Sequence, residues 1–196
     1  MTTPAPPTGS PGAGSGIVVR ELRWSDFDPL REMYYLLYDE RETNPEIGLT
    51  LFSTRPTIED ETAWFTGLFR RVMSGDAVVS IAEHNAVVVG NCTIGRVGPS
   101  PTHEAAHVGL LGIIVHRDHR GTGVGTALLA NALDHARARF EVVNLSVLTV
   151  NRRARRLYER FGFRYVGTRP AHLKRGDRYF DEDLMVLDLR PAHANR

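Results

Sequence analysis

Arg120, Gly121, Thr122, Gly123, Val124, Gly125 and Thr126 form a glycine-rich run between an apolar stretch ending at Val115 and a segment of helical periodicity. A turn with glycine at every second position can present successive backbone N–H groups to an anion, and the positive end of the following helix adds to the attraction. Glycine suits such a turn because the backbone must approach phosphate oxygens closely and can adopt positive φ. Three phosphate ligands match this physics. A nucleotide-hydrolysing loop needs Lys followed by Ser or Thr after its last glycine, whereas Gly125 is followed by Thr126 and Ala127. A dinucleotide fold needs G-x-G-x-x-G behind an early strand, with an acidic residue about 20 positions on. Here the glycines alternate late in the chain, and Glu141 does not end a following strand. The pyrophosphate of coenzyme A remains, beside the simpler alternative of a tight strand-to-helix turn without a ligand.

The other reactive residues are fewer. Cys92 is the one cysteine, so no intrachain disulfide forms. It sits mid-strand in an apolar run with no histidine pattern around it, which favours packing over a role as covalent nucleophile. No metal-ligand spacing surrounds it, and no metal is expected.

The elements that must position these residues follow from periodicity. Ile17–Leu22 reads as a strand, and Ser25 or Asp26 caps a helix to about Tyr38 with Pro29 in its first turn. Residues 39–54 read as a loop broken by Pro45 and Gly48. Thr57, spaced three from Asp60, opens a second helix through Trp64, Leu68 and Val72. Ala77–Glu83 and Ala86–Val97 form a hairpin around His84-Asn85. His107–Val115 is almost wholly apolar, as for a central strand covered on both faces. Val124, Leu128, Ala132, Ala136 and Phe140 recur every four residues on the buried face of the next helix. Val142–Val150 is a strand, Asn151 caps a short helix, and Gly162 sits where a left-handed C-terminal cap belongs. Residues 163–189 read as two strands joined at Lys174–Asp177. Hairpins alternating with helical crossovers predict an α/β (α+β) domain with a mixed central sheet of about six to seven strands between helices.

The bulk properties narrow the function classes. The chain has 196 residues, with 42% hydrophobic and 24% charged, the make-up of a globular domain. A net charge of +1 offers no global field for nucleic acid or anionic membrane, so neither is expected as a partner. No run is apolar enough to span a bilayer, and the N-terminus lacks the basic start and apolar core of a signal peptide. With one cysteine, a reducing, cytoplasmic setting is expected. Residues 1–15 read as a disordered Pro/Gly/Ser-rich tail, 16–190 as one domain and 191–196 as a short tail.

The glycine turn does not stand alone. Arg120-x-x-Gly123-x-Gly125 resembles the pyrophosphate signature R/Q-x-x-G-x-G/A of the GNAT superfamily of N-acetyltransferases. Val147, Asn151, Arg153, Ala154, Leu157, Tyr158, Gly162 and Phe163 then match every fixed position of that family's second signature, V-x-x-x-N-x-R-A-x-x-L-Y-x-x-x-G-F. Gly176, Asp177, Tyr179, Asp181, Glu182 and Met185 are similar to the closing hairpin of many bacterial members. The resemblance covers roughly Ala77–Leu189 and implies a GNAT fold with helices on both faces of the sheet. It implies transfer of an acetyl group from acetyl-CoA to a primary amine by direct attack in a ternary complex. By the same resemblance, Ile113, Ile114 and Val115 splay from the neighbouring strand and offer backbone groups to the pantetheine. Arg120, Gly121, Thr122, Gly123, Val124, Gly125 and Thr126 cradle the pyrophosphate, and Asn151 bonds the pantetheine or caps its helix. Tyr158 points its hydroxyl at the sulfur as the acid that protonates the leaving thiolate. The chemistry agrees, because a backbone N–H near Val115 can hold the oxyanion and a phenol is a reasonable proton donor.

His107 stands eight residues before Val115, where some members carry a glutamate, and is the expected general base; Glu83, His103, Glu104 and His116 are its rivals. The family builds its acceptor site from the first two helices, their loop and the last hairpin. Here those segments hold Tyr34, Tyr35, Tyr38, Asp39, Glu40, Glu42 and Glu46, then Tyr179, Asp181, Glu182 and Asp183. Such a lining suits a cationic amine, small or on a protein, although charge runs are more often solvated faces. A homodimer and a non-catalytic acetyl-CoA sensor on the same fold both stay open. The arginines at 152, 153, 155 and 156 read as a helix's polar face near the cofactor's phosphates.

Overall fold

A computed structural model describes residues 16–44, 47–48 and 52–191. The expected tail 1–15, all but Pro191 of the expected tail 191–196, and Glu46 on the acceptor loop lie outside the described residues.

Seven strands form one mixed sheet: β1 (Ile17–Glu21), β2 (Ala77–His84), β3 (Val87–Arg96), β4 (Val108–Val115), β5 (Val142–Leu148), β6 (Arg164–Arg175) and β7 (Arg178–Asp188). Their spatial order is β1-β2-β3-β4-β5-β7-β6. Among the described residues only β4 and β5 run parallel, because α3 (Val124–Ala136) crosses over between them. The remaining helices are α1 (Phe27–Thr43), α2 (Ile58–Met73) and α4 (Arg152–Arg160).

Local chemistry explains most of these bounds. Thr57 and Asp60 exchange side-chain and backbone hydrogen bonds in a capping box that starts α2. Asn85 and Ala86, both at positive φ, make the tight β2–β3 turn, one residue later than the sequence suggests. Gly162 takes its left-handed cap at φ 89°. Helix α1 continues to Thr43, beyond the expected end at Tyr38, since no breaker precedes Asn44.

Two cores flank the sheet. On one face Leu30 and Met33 of α1 and Phe65 and Leu68 of α2 pack on Val79 and Ile81 of β2. On the other, Leu128 and Ala132 of α3 and Tyr158 of α4 pack on β3, β4 and β5. The four-residue repeat of α3 is fully buried, Phe140 included. One expectation fails on β4. Leu110 is 54% exposed, because α1 and α2 cover the β2–β3 side of the sheet and leave β4 open there.

The fold's firmest seam is α3 on the sheet. Leu128→Ala should cost about 2–5 kcal/mol, lowering the melting temperature by roughly 2–4 °C per kcal/mol. A loss below about 1 kcal/mol in thermal unfolding would show that this face is not the packed one.

Candidate active site

The site begins where the sheet comes apart. β4 and β5 pair only at Val108–Val142, Gly109–Val143 and Leu110–Asn144. Beyond that, β4 stays on β3 as far as Val115, and β5 stays on β7 as far as Leu148. Residues 111–115 of β4 and 145–148 of β5 therefore face each other across a gap with no ladder between them. At about 3.3 Å per residue the gap is roughly 15 Å long.

The glycine turn closes one end of the gap. After a 3₁₀ turn at Arg117–His119, Gly121 and Gly123 take φ of 90° and 97°, and Gly123 caps α3 without a side chain. Ala127 N–H is bonded to Gly123 C=O, so the N–H groups of residues 124–126 precede the helical ladder. A Cβ on Gly125 would stand 3.4 to 4.0 Å from Leu157, Val115 and Ile113, which shows α3, α4 and β4 converging there. Val124 itself is wholly buried, so its side chain serves the core and only its backbone faces the turn. Thr122 donates its hydroxyl to His119 C=O and stiffens the loop, while Thr126 is exposed on the first turn of α3.

Arg120 differs from its expected role. Its Nε–H donates to Val115 C=O at 3.0 Å, and its two terminal nitrogens donate to the Glu40 carboxylate at 2.5 and 2.8 Å. The guanidinium thus clamps the end of β4 to α1, and Arg120 presents only backbone toward the turn. The cation at the turn is instead the fixed arginine of the second signature. A Cβ added to Gly121 would lie 2.2 Å from Nη2 of Arg153, so that α4 guanidinium lies against the turn.

At the end of β5, Asn151 caps α4 by accepting from Ala154 N–H at 3.1 Å. Its amide also touches the α1–α2 loop, since a Cβ on Gly48 would come within 1.9 Å of its Nδ2. Tyr158 lies one helical turn on from Ala154, 6% exposed, with its ring edge-on to Phe163 at 5.8 Å. Burial, then the nearby Cys92, pushes its phenol above the usual range. Cys92 is completely buried and its thiol is pushed up for the same reason, so it stays protonated and a poor nucleophile.

His107 is not brought to this constellation. It lies in the exposed turn before β4, with its carbonyl accepting from Glu141 and Val142 N–H. That is the paired end of the β4–β5 seam, about 25 Å of strand from Val115. Glu83 is engaged by Arg20, and His103 and Glu104 are exposed in the turn after β3. His116 follows Val115, but its Nδ1 accepts from Asp118 N–H and its ring stands beside that of His119.

The acidic lining is also thinner than expected. Glu40 is committed to Arg120, and Asp183 faces α4, where it accepts from Arg155. Asp39 and Glu42 are exposed, and Tyr179 is exposed beneath Lys174. Tyr38 accepts from Phe52 N–H, Tyr35 donates to Pro56 C=O, and Tyr34 meets Trp64 edge-on at 5.0 Å. Glu61, unremarked in the sequence, is buried on the inner stripe of α2, where burial raises its carboxyl.

The chain matches the family described as "Acetyltransferase (GNAT) family" over residues 32–163. It is 39% identical over 95 residues to "Probable N-acetyltransferase camello" of Xenopus tropicalis, a match covering 47% of this chain and 41% of that one. It is 28% identical over 134 residues to the "L-amino acid N-acyltransferase MnaT" of Escherichia coli (strain K12), covering 67% of this chain and 73% of the relative. The first match thus spans less than half of its relative's length, and the second about three quarters. The fold also aligns with yncA from Salmonella typhimurium, solved with its cofactor acetyl-CoA, at a TM-score of 0.75 and 22% identity, covering 92% of this chain and 97% of that one.

The turn's geometry sets a test. A Cβ at Gly123 meets open space, so Gly123→Ala should fold, yet φ of 97° strains any L side chain by about 1–3 kcal/mol. Coenzyme A affinity should drop roughly 5- to 100-fold by calorimetry if the turn must hold that conformation to bind. Unchanged affinity would free the turn from the binding role.

Proposed function

Because this chain belongs to the acetyltransferase (GNAT) family, we propose that it moves the acetyl group of acetyl-CoA onto a primary amine, with donor and acceptor bound together. The observation that carries this reading is the gap between β4 and β5, closed at one end by an anion-seeking turn and flanked by a buried phenol.

The residues fit the donor. A pyrophosphate at the turn would meet the N–H groups of residues 121–126, the positive end of α3 and the Arg153 guanidinium, so backbone and one arginine share the charge. Ile113, Ile114 and Val115 line the gap with unpaired strand edge, and such an edge seeks partners as another strand would. Asn151 stands at the far lip with its cap already made, holding α4 in register. When bound, acetyl-CoA supplies the activated acyl group.

The chain's own contribution to the chemistry is electrostatic and protonic. In this reading a β4 backbone N–H facing the gap would steady negative charge on the acyl oxygen. The Tyr158 hydroxyl, buried and protonated, would donate toward sulfur as it departs. Cys92 is protonated and enclosed, which favours direct attack over an acyl-enzyme. The acceptor is a primary amine, free or on a protein; its side of the site lies beneath the α1–α2 loop and beside the β6–β7 hairpin. The lone cysteine suits a reducing, cytoplasmic setting, and no helix among the described residues is long and apolar enough to cross a membrane.

Release of coenzyme A thiol across a panel of amines tests the activity itself; tight acetyl-CoA binding without turnover on any amine would favour a sensor instead. Tyr158→Phe tests the acid. It keeps the ring and so the packing, and single-turnover transfer should slow by about ten- to a thousand-fold with little change in acetyl-CoA affinity. The pH dependence has a definite sign. The active form is the protonated phenol, and burial raises its titration above the usual value near 10. No alkaline loss of rate should therefore arise from Tyr158 below about pH 10. An alkaline limb near pH 8–9 that disappears in Tyr158→Phe would contradict this environment.

A further inference from the structure

The acceptor amine arrives as an ammonium ion, and the residue expected to deprotonate it lies at the wrong end of β4. A different histidine stands on β6, the strand that follows β5 and β7 on the far side of the gap from β4. We propose that His172, held against Glu182 by a bulge in β6, takes the proton from the acceptor ammonium; this rests on the acetyl-transfer reading above.

The bulge is a built feature. β6 and β7 pair from Arg164 to Arg169 and again from Leu173 to Arg175, and the register shifts between. Within the shift, Ala171 takes φ of 49°, unusual for a residue with a Cβ, and its N–H donates to Asp181 Oδ1 at 2.7 Å. Bulges of this kind redirect a side chain that a regular strand would send elsewhere. Here the result brings His172 Nε2 to 3.5 Å from Glu182 Oε2.

The two partners differ as a base and its orienting group should. The Glu182 side chain is 5% exposed and that of His172 39%, so the carboxylate is dry and the imidazole open to an incoming amine. Glu182 is fixed independently: Oε1 accepts from the Ser146 hydroxyl at 2.8 Å, and Oε2 accepts from Arg169. An ionised, hydrogen-bonded carboxylate beside an imidazole sets its orientation and stabilises the imidazolium that proton uptake creates.

The pair is also placed on the correct face. Asp183, the next residue on β7, reaches Arg155 of α4, so Glu182 points to the opposite side. Glu182 is register-paired with Leu148, the last residue of β5. Carrying the β4–β5 register forward from Leu110–Asn144 sets Leu148 level with Ile114, across the gap where the acyl group is expected. The charged group facing His172 is Glu182 of β7, which also holds Arg169 of the histidine's own strand; Asp181, on the alternate side of β7, takes the Ala171 N–H, and Arg41 of α1 acts on the same strand through Arg175.

The proton account closes. One ammonium proton passes through water to His172 Nδ1, the ring nitrogen turned away from Glu182, and then to solvent, leaving the lone pair that attacks the acyl carbon. A second leaves nitrogen as the amide forms and replaces the proton that sulfur receives. The third remains on the amide, so one proton is released per turnover.

The test compares two kinds of acceptor in wild type, His172→Gln and Glu182→Gln, with thermal unfolding confirming that each variant folds. One acceptor is the best alkylamine of a panel from ethylamine to L-amino acids, protonated at neutral pH. The other is methoxyamine, already neutral there. For the alkylamine, His172→Gln should lower kcat/KM by about a hundredfold or more at pH 7 and recover as pH rises toward the amine's own titration. For methoxyamine the variant should stay within a few-fold of wild type, a contrast that a packing role would not produce. Glu182→Gln, a positioning change, should show the same contrast at smaller amplitude; if it fails to fold, the His172→Gln comparison decides alone. Equal losses with both acceptors, or an unchanged pH profile, would overturn the assignment while leaving acetyl transfer intact. A wild-type protein that acetylates no amine would overturn both.

Discussion

Everything at this site depends on the parting of β4 and β5 after Leu110 and Asn144. A parallel pair that continued to Val115 would satisfy its own backbone and leave no site. Separation leaves N–H and C=O groups that must be met by something else. One is met internally: Val115 C=O accepts from Arg120. The others along residues 111–115 border the slot. The α3 crossover makes the pair parallel, and it also delivers its own positive end to the slot's mouth. One connection therefore supplies both the opening and the glycine turn at its mouth.

A site cut into the sheet needs its walls held in place from outside it, and three ties do so. Glu40 of α1 grips Arg120 in a bidentate pair whose members are both mostly shielded, and breaking such a pair from one side leaves an uncompensated charge. Gly48 presses its backbone on the Asn151 amide so closely that no side chain would fit between them. Ile47 C=O accepts from Arg175 of β6. The end of α1, with Ile47 and Gly48 beyond it, is thereby tied to Arg120 of the glycine turn, to the cap of α4 and to the last hairpin.

Sequence reasoning succeeded where the determining chemistry is local. The glycine turn, the Asn151 cap, the Thr57–Asp60 box and the buried stripe of α3 all depend on neighbours within a few residues. It failed where the answer depended on which end of a strand faces the site. His107 and Val115 belong to one run, yet only the far end opens into the gap, and nothing in the run's composition marks that end. Arg120 and Arg153 show the same limit. Both are arginines in motifs, but Glu40, 80 residues away in sequence, decides that the first is structural and leaves the second for the turn. His172 had no signal to offer, since a bulge shifts register without changing residue types.

Helix α4 shows how tightly the two chemical tasks are joined. It has nine residues, and its faces diverge completely. Arg153, on its first turn, reaches back over Gly121, and Arg155 points to Asp183 on β7 and Glu159 one turn on. The inner face carries Ala154, Leu157 and Tyr158 into the core shared with Cys92 and Leu111. A short helix is marginal alone, so it is this packed face that holds it. The placement of Arg153 against the glycine turn and that of the buried Tyr158 are therefore one structural variable. A rotation of α4 that improved one would displace the other, and the Asn151 cap and the left-handed Gly162 fix both ends against it.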